Sequence, residues 1–382
     1  MSTDRSPTIH HADHCGSLLR PPELREARRL AALGRIGPDE LRQTEDRAIL
    51  DALKLQQAVG LKIFSDGEFR RKFWHVALAT AFHGIEDAGP DFERFPLMRD
   101  ADLADNPEIA AINPVVNGKL SAKGRIAAAE AAYLADHAPG AFKITLPSPA
   151  MITPKWLSGP KSRAAYPSFD LLVQDLANLL AAEARALVDS GVTYIQLDAP
   201  GYTRFMIADR IAQMKRDGID PERELASVIE AENTILRAAK RPGVTVAVHI
   251  CHGTYFLDGR GAAGGPAVNY DPELTARLYH SLEADKFLVE YTDRGGGADS
   301  LRDAPKGKSF ALGILNIRDP QPEAPDAVIR KIEAAARYVP IENLALCPNC
   351  GFSGAAAGAW MSADDQKRKL ELLVRTADQL WA

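Results

Sequence analysis

The chain has 382 residues, 46% of them hydrophobic and 25% charged, with a formal net charge of −5. That balance excludes a disordered or fibrous chain, and the mild negative charge leaves no basic footprint for nucleic acid. Length alone does not force two domains, because an α/β barrel often reaches about 250 residues or more as one unit.

The N-terminal stretch MSTDRSPTIHHADHCGS carries Asp4, Arg5 and three histidines where a secretory signal needs an apolar run. No later segment reaches the roughly 18 apolar residues of a membrane span, so a cytoplasmic protein with no membrane partner is expected. Cys15, Cys251, Cys347 and Cys350 are too sparse for a disulfide framework and are expected to be thiols, ligands or nucleophiles.

Apolar, β-branched runs alternate with helical patterns. Thr8–His14 and Leu61–Ser65 flank a helix expected at Asp39–Val59. Residues 82–139 break the alternation, and PVVNGKL (Pro114–Leu120) reads as a hairpin about Asn117-Gly118, so an insertion in a barrel loop is expected there. Next come the run Ala141–Leu146, a helix at Ser168–Asp189, the run Thr193–Leu197, a helix at Asp220–Ala239 and the run Val244–Ile250. Beyond a helix at Pro272–Leu282 lie the runs Lys286–Val289, Ser309–Leu315 and Leu344–Cys347, with helices at Pro325–Tyr338 and Ser362–Leu380. The glycine-rich Gly259–Pro266 and Arg294–Ser300 suit lids or plain loops. Gly307–Ser309 resembles a fragment of a phosphate loop but lacks the first glycine and leads into a strand, which discounts it. Strand alternating with helix implies a parallel sheet, and eight runs are the number that closes a (β/α)8 TIM barrel, expected here as one domain over residues 1–382.

Polar residues collect at or just past the ends of these runs, apart from the third, which ends in Pro147: Ser17, Asp66, Glu68, Asp198, His249, Cys251, Glu290, Asn316, Arg318 and Cys350. In a barrel those ends form the face that carries active sites. Strands in general run out into polar loops, so the chemistry of the residues has to decide.

His249 and Cys251 stand two apart at a strand end and project to the same side, a chelating pair by geometry. Cys350 and Glu290 end two further runs. Thiolates with an imidazole and a carboxylate favour Zn2+ among common metals. Other assignments stand beside this one. Cys347 and Cys350 form a C-x-x-C that could be a redox pair, Cys347 could be a small buried apolar residue, and Glu290 could be a solvated strand terminus. His252 could replace His249, although it would point to the other side of the strand.

HICHGTY, LVEYTD and ALCPNCGF resemble the zinc-ligand segments of the cobalamin-independent methionine synthase (methionine synthase II) family, a fold shared with uroporphyrinogen decarboxylase-like barrels. HADHCGSLLRPPEL, SDGEFRR, KITLPSP and YIQLDAP extend the likeness over nearly the whole chain. The resemblance implies zinc ligands His249, Cys251, Glu290 and Cys350, with Glu290 as the bond an incoming thiol displaces. It also implies that Ser17, Glu68 and Asp198 hold homocysteine, the carboxylates facing its ammonium group. An ion pair of Glu68 with Arg70 or Arg71, and a capping role for Asp198, are the bland readings of those residues. The chain departs from the family pattern at Ala199, where full-length synthases read DEP, and at Arg318, which aligns with a histidine proposed as the catalytic acid. Arginine does not release a proton at neutral pH, but its planar fork suits a carboxylate or sulfonate. The full-length folate-using enzymes also carry a second barrel.

A site with two thiolates and a carboxylate is electron-rich, poorly suited to hydrolysis and well suited to thiolate alkylation. The expected activity is zinc-dependent thiol S-alkylation, most simply methylation of homocysteine from a methylated folate or methylcorrinoid. Thiol addition to an epoxide, as in epoxyalkane:coenzyme M transferase, belongs to the same class. Outside it stand a tetrapyrrole- or corrinoid-binding barrel without zinc and a binding protein with structural zinc. A small-molecule thiol and an alkyl donor are the expected partners, and a homo-oligomer is compatible with the sequence.

Overall fold

A computed structural model describes residues 8–71, 78, 81–87, 114–251, 270–292, 296–353 and 361–381. Strands β1 (Phe82–Asp87) and β2 (Pro114–Ala122) pair antiparallel. Strands β3 (Ile144–Pro147), β4 (Tyr194–Asp198), β5 (Thr245–Ile250), β6 (Lys286–Glu290), β7 (Ser309–Leu315) and β8 (Leu344–Pro348) form one parallel sheet in chain order. Every residue of these six strands is buried, as befits a sheet covered on both faces.

Two single bridges extend the sheet into a (β/α)8 barrel. Ala12 pairs in parallel with Leu346 on one side, and Phe64 pairs in parallel with Phe142 on the other. Leu18 N donates to Gly67 O at 3.2 Å, joining the two added segments. The strands expected at Thr8–His14 and Leu61–Ser65 are thus reduced to one rung each, for a visible reason. His14 N donates to the Asp13 carboxylate at 2.8 Å, and Ser65 exchanges both backbone bonds with the Gln56 side chain at 2.8 and 2.9 Å. Local side chains take bonds that a longer ladder would have used.

The Asn117-Gly118 hairpin turn is a correction. Both residues lie inside β2, in an irregularity where His83 pairs with Ser121 but Ile85 pairs with Val116. Gly84 opposes this bulge, and a Cβ there would sit 2.5 Å from Lys119 O.

Helices Phe169–Asp189 and Pro221–Ala239 pack side by side, the first against β2 and the second against β5. Asp220 and Asp271 cap their helices by accepting from Glu222 N at 3.0 Å and Leu274 N at 2.9 Å, each followed by proline at the first helical position. Among the described residues no helix is long and apolar enough to cross a membrane.

Four elements meet at the barrel axis. Asp13 accepts from Lys143 Nζ at 2.9 Å through Oδ1, and from Lys286 Nζ at 2.7 Å and the Tyr194 hydroxyl at 2.8 Å through Oδ2. Cys15, Ile63, Ala247, Leu288, Ala311, Ala345 and Cys347 fill the interior beside them.

Outside the strands, Glu232 is fully buried and takes hydrogen bonds from Ser148 and, at 2.9 Å, from Tyr202. Burial lifts its pKa to about 7, against the partial relief of those two hydroxyls. The folded chain therefore holds a proton that the unfolded chain releases near pH 4.5, so stability falls as pH rises through this window and the loss is complete above about 7. Glu232→Gln should raise stability at pH 8 by about 2 kcal/mol and change little at pH 4. Thermal melts at the two pH values check this, and an equal effect at both would refute it.

Candidate functional site

His249 is the last residue but one of β5, and Cys251 follows two residues on, on the same side. Leu288 O lies 3.2 Å from His249 Nδ1, which places a proton on that nitrogen and leaves Nε2 for a ligand. Nε2 is buried with no hydrogen-bond partner among the described residues. The ligand atoms of His249, Cys251 and Cys350 all lie within 4.8 Å of one another, and Cys251 Sγ is 3.9 Å from Cys350 Sγ. Glu290, the last residue of β6, brings Oε2 to 4.0 Å from Cys251 Sγ but stands outside that tight trio. An orphaned buried imidazole nitrogen beside two thiols fits a thiophilic metal such as zinc.

The electrostatics follow from this crowding. Burial opposes charge on His249, but the Cys251 sulfur beside it and Asp198 outweigh burial and lift its pKa to about 9. A hydrogen bond with Cys251, then burial, pushes the Cys350 thiol well above the ordinary thiol range. Cys347 turns instead into the barrel interior with Cys15, whose thiol it pushes up by hydrogen bonding. The two cysteines of the C-x-x-C thus serve different neighbourhoods, as the small apolar reading of Cys347 requires.

The loop bearing Cys350 presses against the first strand's loop. A Cβ on Gly351 would lie 2.5 Å from Ser17 N, and Phe352 N donates to Ser17 O at 2.7 Å. Only glycine permits this approach.

Ser17 and Glu68 are hydrogen-bonded to each other, and Asp198 lies near enough for the charge of Glu68 to act on it. Ser17 Oγ donates to Glu68 Oε2 at 2.6 Å, and Thr145 Oγ1 donates to Glu68 Oε1 at 2.8 Å. Glu68 is held with φ +59°, a left-handed conformation that costs a non-glycine residue about 1 kcal/mol or more and that clusters at functional sites. Burial works against its charge, yet Arg71 at 3.6 Å, with the two hydroxyls, holds its carboxyl below the usual range. Asp198 ends β4 and accepts from Gln196 Nε2 at 2.6 Å. Burial, then the charge of Glu68, lifts Asp198 to about 6. The expected ion pair of Glu68 therefore exists with Arg71, while Arg70 pairs with Asp46 at 2.6 Å and with Glu45.

Arg318 lies half-buried on the loop after β7, where its backbone N–H donates to Asn316 Oδ1 at 3.0 Å. His252 and the stretch 259–266 fall outside the described residues, as do 294 and 295 of the second glycine-rich stretch, whose remainder enters a 3-10 turn at Gly297–Leu301. Sequence reasoning missed Thr145 and Gln196. Both were within reach of alternation, since Gln196 precedes Asp198 by two on one strand and so shares its face.

The chain is similar to known proteins over most of its length. Residues 163–370, more than half the chain, match the catalytic domain of the cobalamin-independent synthase. The uncharacterized protein YxjH of Bacillus subtilis (strain 168) is 30% identical over 374 residues, 97% of this chain and 94% of that one. The methionine synthase of Pyrococcus abyssi is 23% identical over 88% of this chain and 84% of its own length. Two solved structures share the fold. One, from Listeria monocytogenes and assigned as a vitamin-B12-independent methionine synthase, has a TM-score of 0.70 at 24% identity over 99% of both chains. The other, a B12-independent methionine synthase from Shewanella sp. W3-18-1 in complex with selenomethionine, has a TM-score of 0.69 at 20% identity over 98% of both chains. With a catalytic-domain match over most of the barrel and relatives that align nearly end to end, the chain belongs to the cobalamin-independent methionine synthase family and is a methyltransferase of that type.

Proposed function

We propose that the chain is a zinc-dependent S-methyltransferase that converts homocysteine to methionine, working as one barrel over residues 1–382. The observation that carries this reading is the trio of His249, Cys251 and Cys350 ligand atoms within 4.8 Å, one of them a buried imidazole nitrogen without a hydrogen-bond partner among the described residues. His249, Cys251 and Cys350 would hold the ion, with Glu290, outside the trio, as the fourth ligand that gives way to an incoming sulfur. When bound, zinc lowers the pKa of a thiol below its free value of about 8.5 and so supplies the thiolate nucleophile.

The remaining work falls to the chain's own residues. Two thiolates and a carboxylate around a divalent cation leave the first shell net negative, which keeps a neighbouring sulfur electron-rich. Glu68 and Asp198, two buried carboxylates near enough for the charge of one to act on the other, favour a cation strongly and would orient the substrate ammonium. Ser17 braces Glu68 from the first loop. Arg318 keeps its charge at any working pH and suits an anionic group of the thiol or of the methyl donor better than proton transfer. The methionine synthases among the relatives support an amino-acid thiol over other thiols.

Metal analysis with a panel of thiols tests this. The chain should carry about one zinc. X-ray absorption should show one oxygen ligand replaced by sulfur on adding homocysteine, and no such change with coenzyme M or glutathione. A response to coenzyme M alone would transfer the reading to epoxide chemistry, and full methyl transfer by metal-free chain would end the zinc assignment.

A further inference from the structure

Each of the two buried carboxylates, Glu68 and Asp198, is held by a neutral side chain that itself takes a hydrogen bond from a buried cation. Lys143 Nζ donates to Gln196 Oε1 at 2.9 Å, and Gln196 Nε2 donates to Asp198 Oδ1 at 2.6 Å. Arg71 Nη1 donates to Thr145 Oγ1 at 2.8 Å, and that hydroxyl donates to Glu68 Oε1 at 2.8 Å. Lysine and arginine are donors only, so the direction of both relays is forced. Gln196 has to turn its carbonyl oxygen to Lys143, which leaves its amide hydrogens for Asp198. Thr145 has to accept from Arg71, which leaves its single proton for Glu68.

The two relays form one rung of the sheet, since Thr145 and Gln196 are direct partners across β3 and β4. Both are buried, and each cation is anchored from behind. Asp13 holds Lys143 at 2.9 Å, and Glu130 holds Arg71 through two bonds of 3.0 and 2.7 Å. Neither relay residue can rotate without breaking a charge-assisted bond, so both carboxylates are presented in set orientations before any ligand arrives.

We propose that Thr145 and Gln196 are positioning residues that make the pocket selective for a thiol carrying an ammonium group. The proposal rests on the reading that Glu68 and Asp198 meet that ammonium. A residue needed only for packing would weaken every ligand alike. A positioning residue acting on these carboxylates weakens the amine-bearing ligand alone.

Calorimetry on the full chain as purified would compare L-homocysteine with 4-mercaptobutanoate, the same thiol acid without its amine. Gln196→Met and Thr145→Val should each lower the preference for homocysteine about tenfold, with 4-mercaptobutanoate held within about twofold. Thr145→Ser, which keeps the hydroxyl, should retain the preference of the unaltered chain. Gln196→Glu, which replaces the donor facing Asp198 with an acceptor, should lose at least as much as Gln196→Met and serves if the methionine variant fails to fold. Asp198→Asn separates the two levels. If it leaves the preference intact, the ammonium reading itself falls and takes the relays with it. If it removes the preference while Gln196→Met and Thr145→Val do not, or if both ligands weaken together in those variants, the relay proposal alone is overturned.

Discussion

Cys350→Ser and His249→Ala should each reduce bound zinc from about one per chain to a small fraction and lower methyl transfer by roughly two orders of magnitude or more. Each removes one of three ligand atoms that crowd within 4.8 Å, leaving two protein ligands of the trio, too few for a closed tetrahedral site. Glu290→Gln should behave differently, retaining most of the metal while slowing turnover, because Glu290 stands beside Cys251 but outside the trio. Metal binding requires the thiols and the imidazole to shed protons, so zinc affinity should also fall as pH drops. Metal analysis and initial rates on the three variants check the set. Zinc at full stoichiometry in Cys350→Ser would remove that residue from the ligand shell.

Asp13→Asn should cost about 3–5 kcal/mol of stability, because it leaves two buried ammonium groups without their counter-charge. Asp13 is fully buried, and Lys143 and Lys286 hold it at 2.9 and 2.7 Å, which keeps its carboxyl well below the usual range despite the cost of burial. A depressed folded-state value means that the stabilisation is present above the unfolded value of about 3.8 and is lost as pH falls below it. Denaturant unfolding at neutral pH measures the loss. Adding Lys286→Met should recover part of it, since the second variant removes one of the stranded charges. A midpoint unchanged in Asp13→Asn would mean that the axial network contributes little.

Much of the barrel was legible in order and type, because six buried parallel strands must be continuous apolar runs, and Val244–Ile250 or Ser309–Leu315 can hardly be anything else. The runs at Thr8–His14 and Leu61–Ser65 carry the same signal, yet they form single rungs, because Asp13 and Gln56 intercept their backbone bonds. No periodicity announces a side chain that competes with a ladder. The Asn117-Gly118 pair misled in the same way, since a turn dipeptide and a bulge use the same permissive residues.

By itself the sequence determined which residues sit at strand ends and which types of donor they offer, since a two-residue alternation places His249 with Cys251 and Gln196 with Asp198 on common faces. The tertiary structure alone decided which of these meet. Cys347 and Cys350, three apart, go to different neighbourhoods, whereas Cys251 and Cys350, 99 positions apart, come within 3.9 Å. It also decided the direction of hydrogen bonds into Glu68 and Asp198, because that direction comes from Arg71 and Lys143, buried cations whose partners lie on other elements of the barrel. Convergence of distant residues and the polarity of a buried network are properties of closed packing, and no local pattern encodes either.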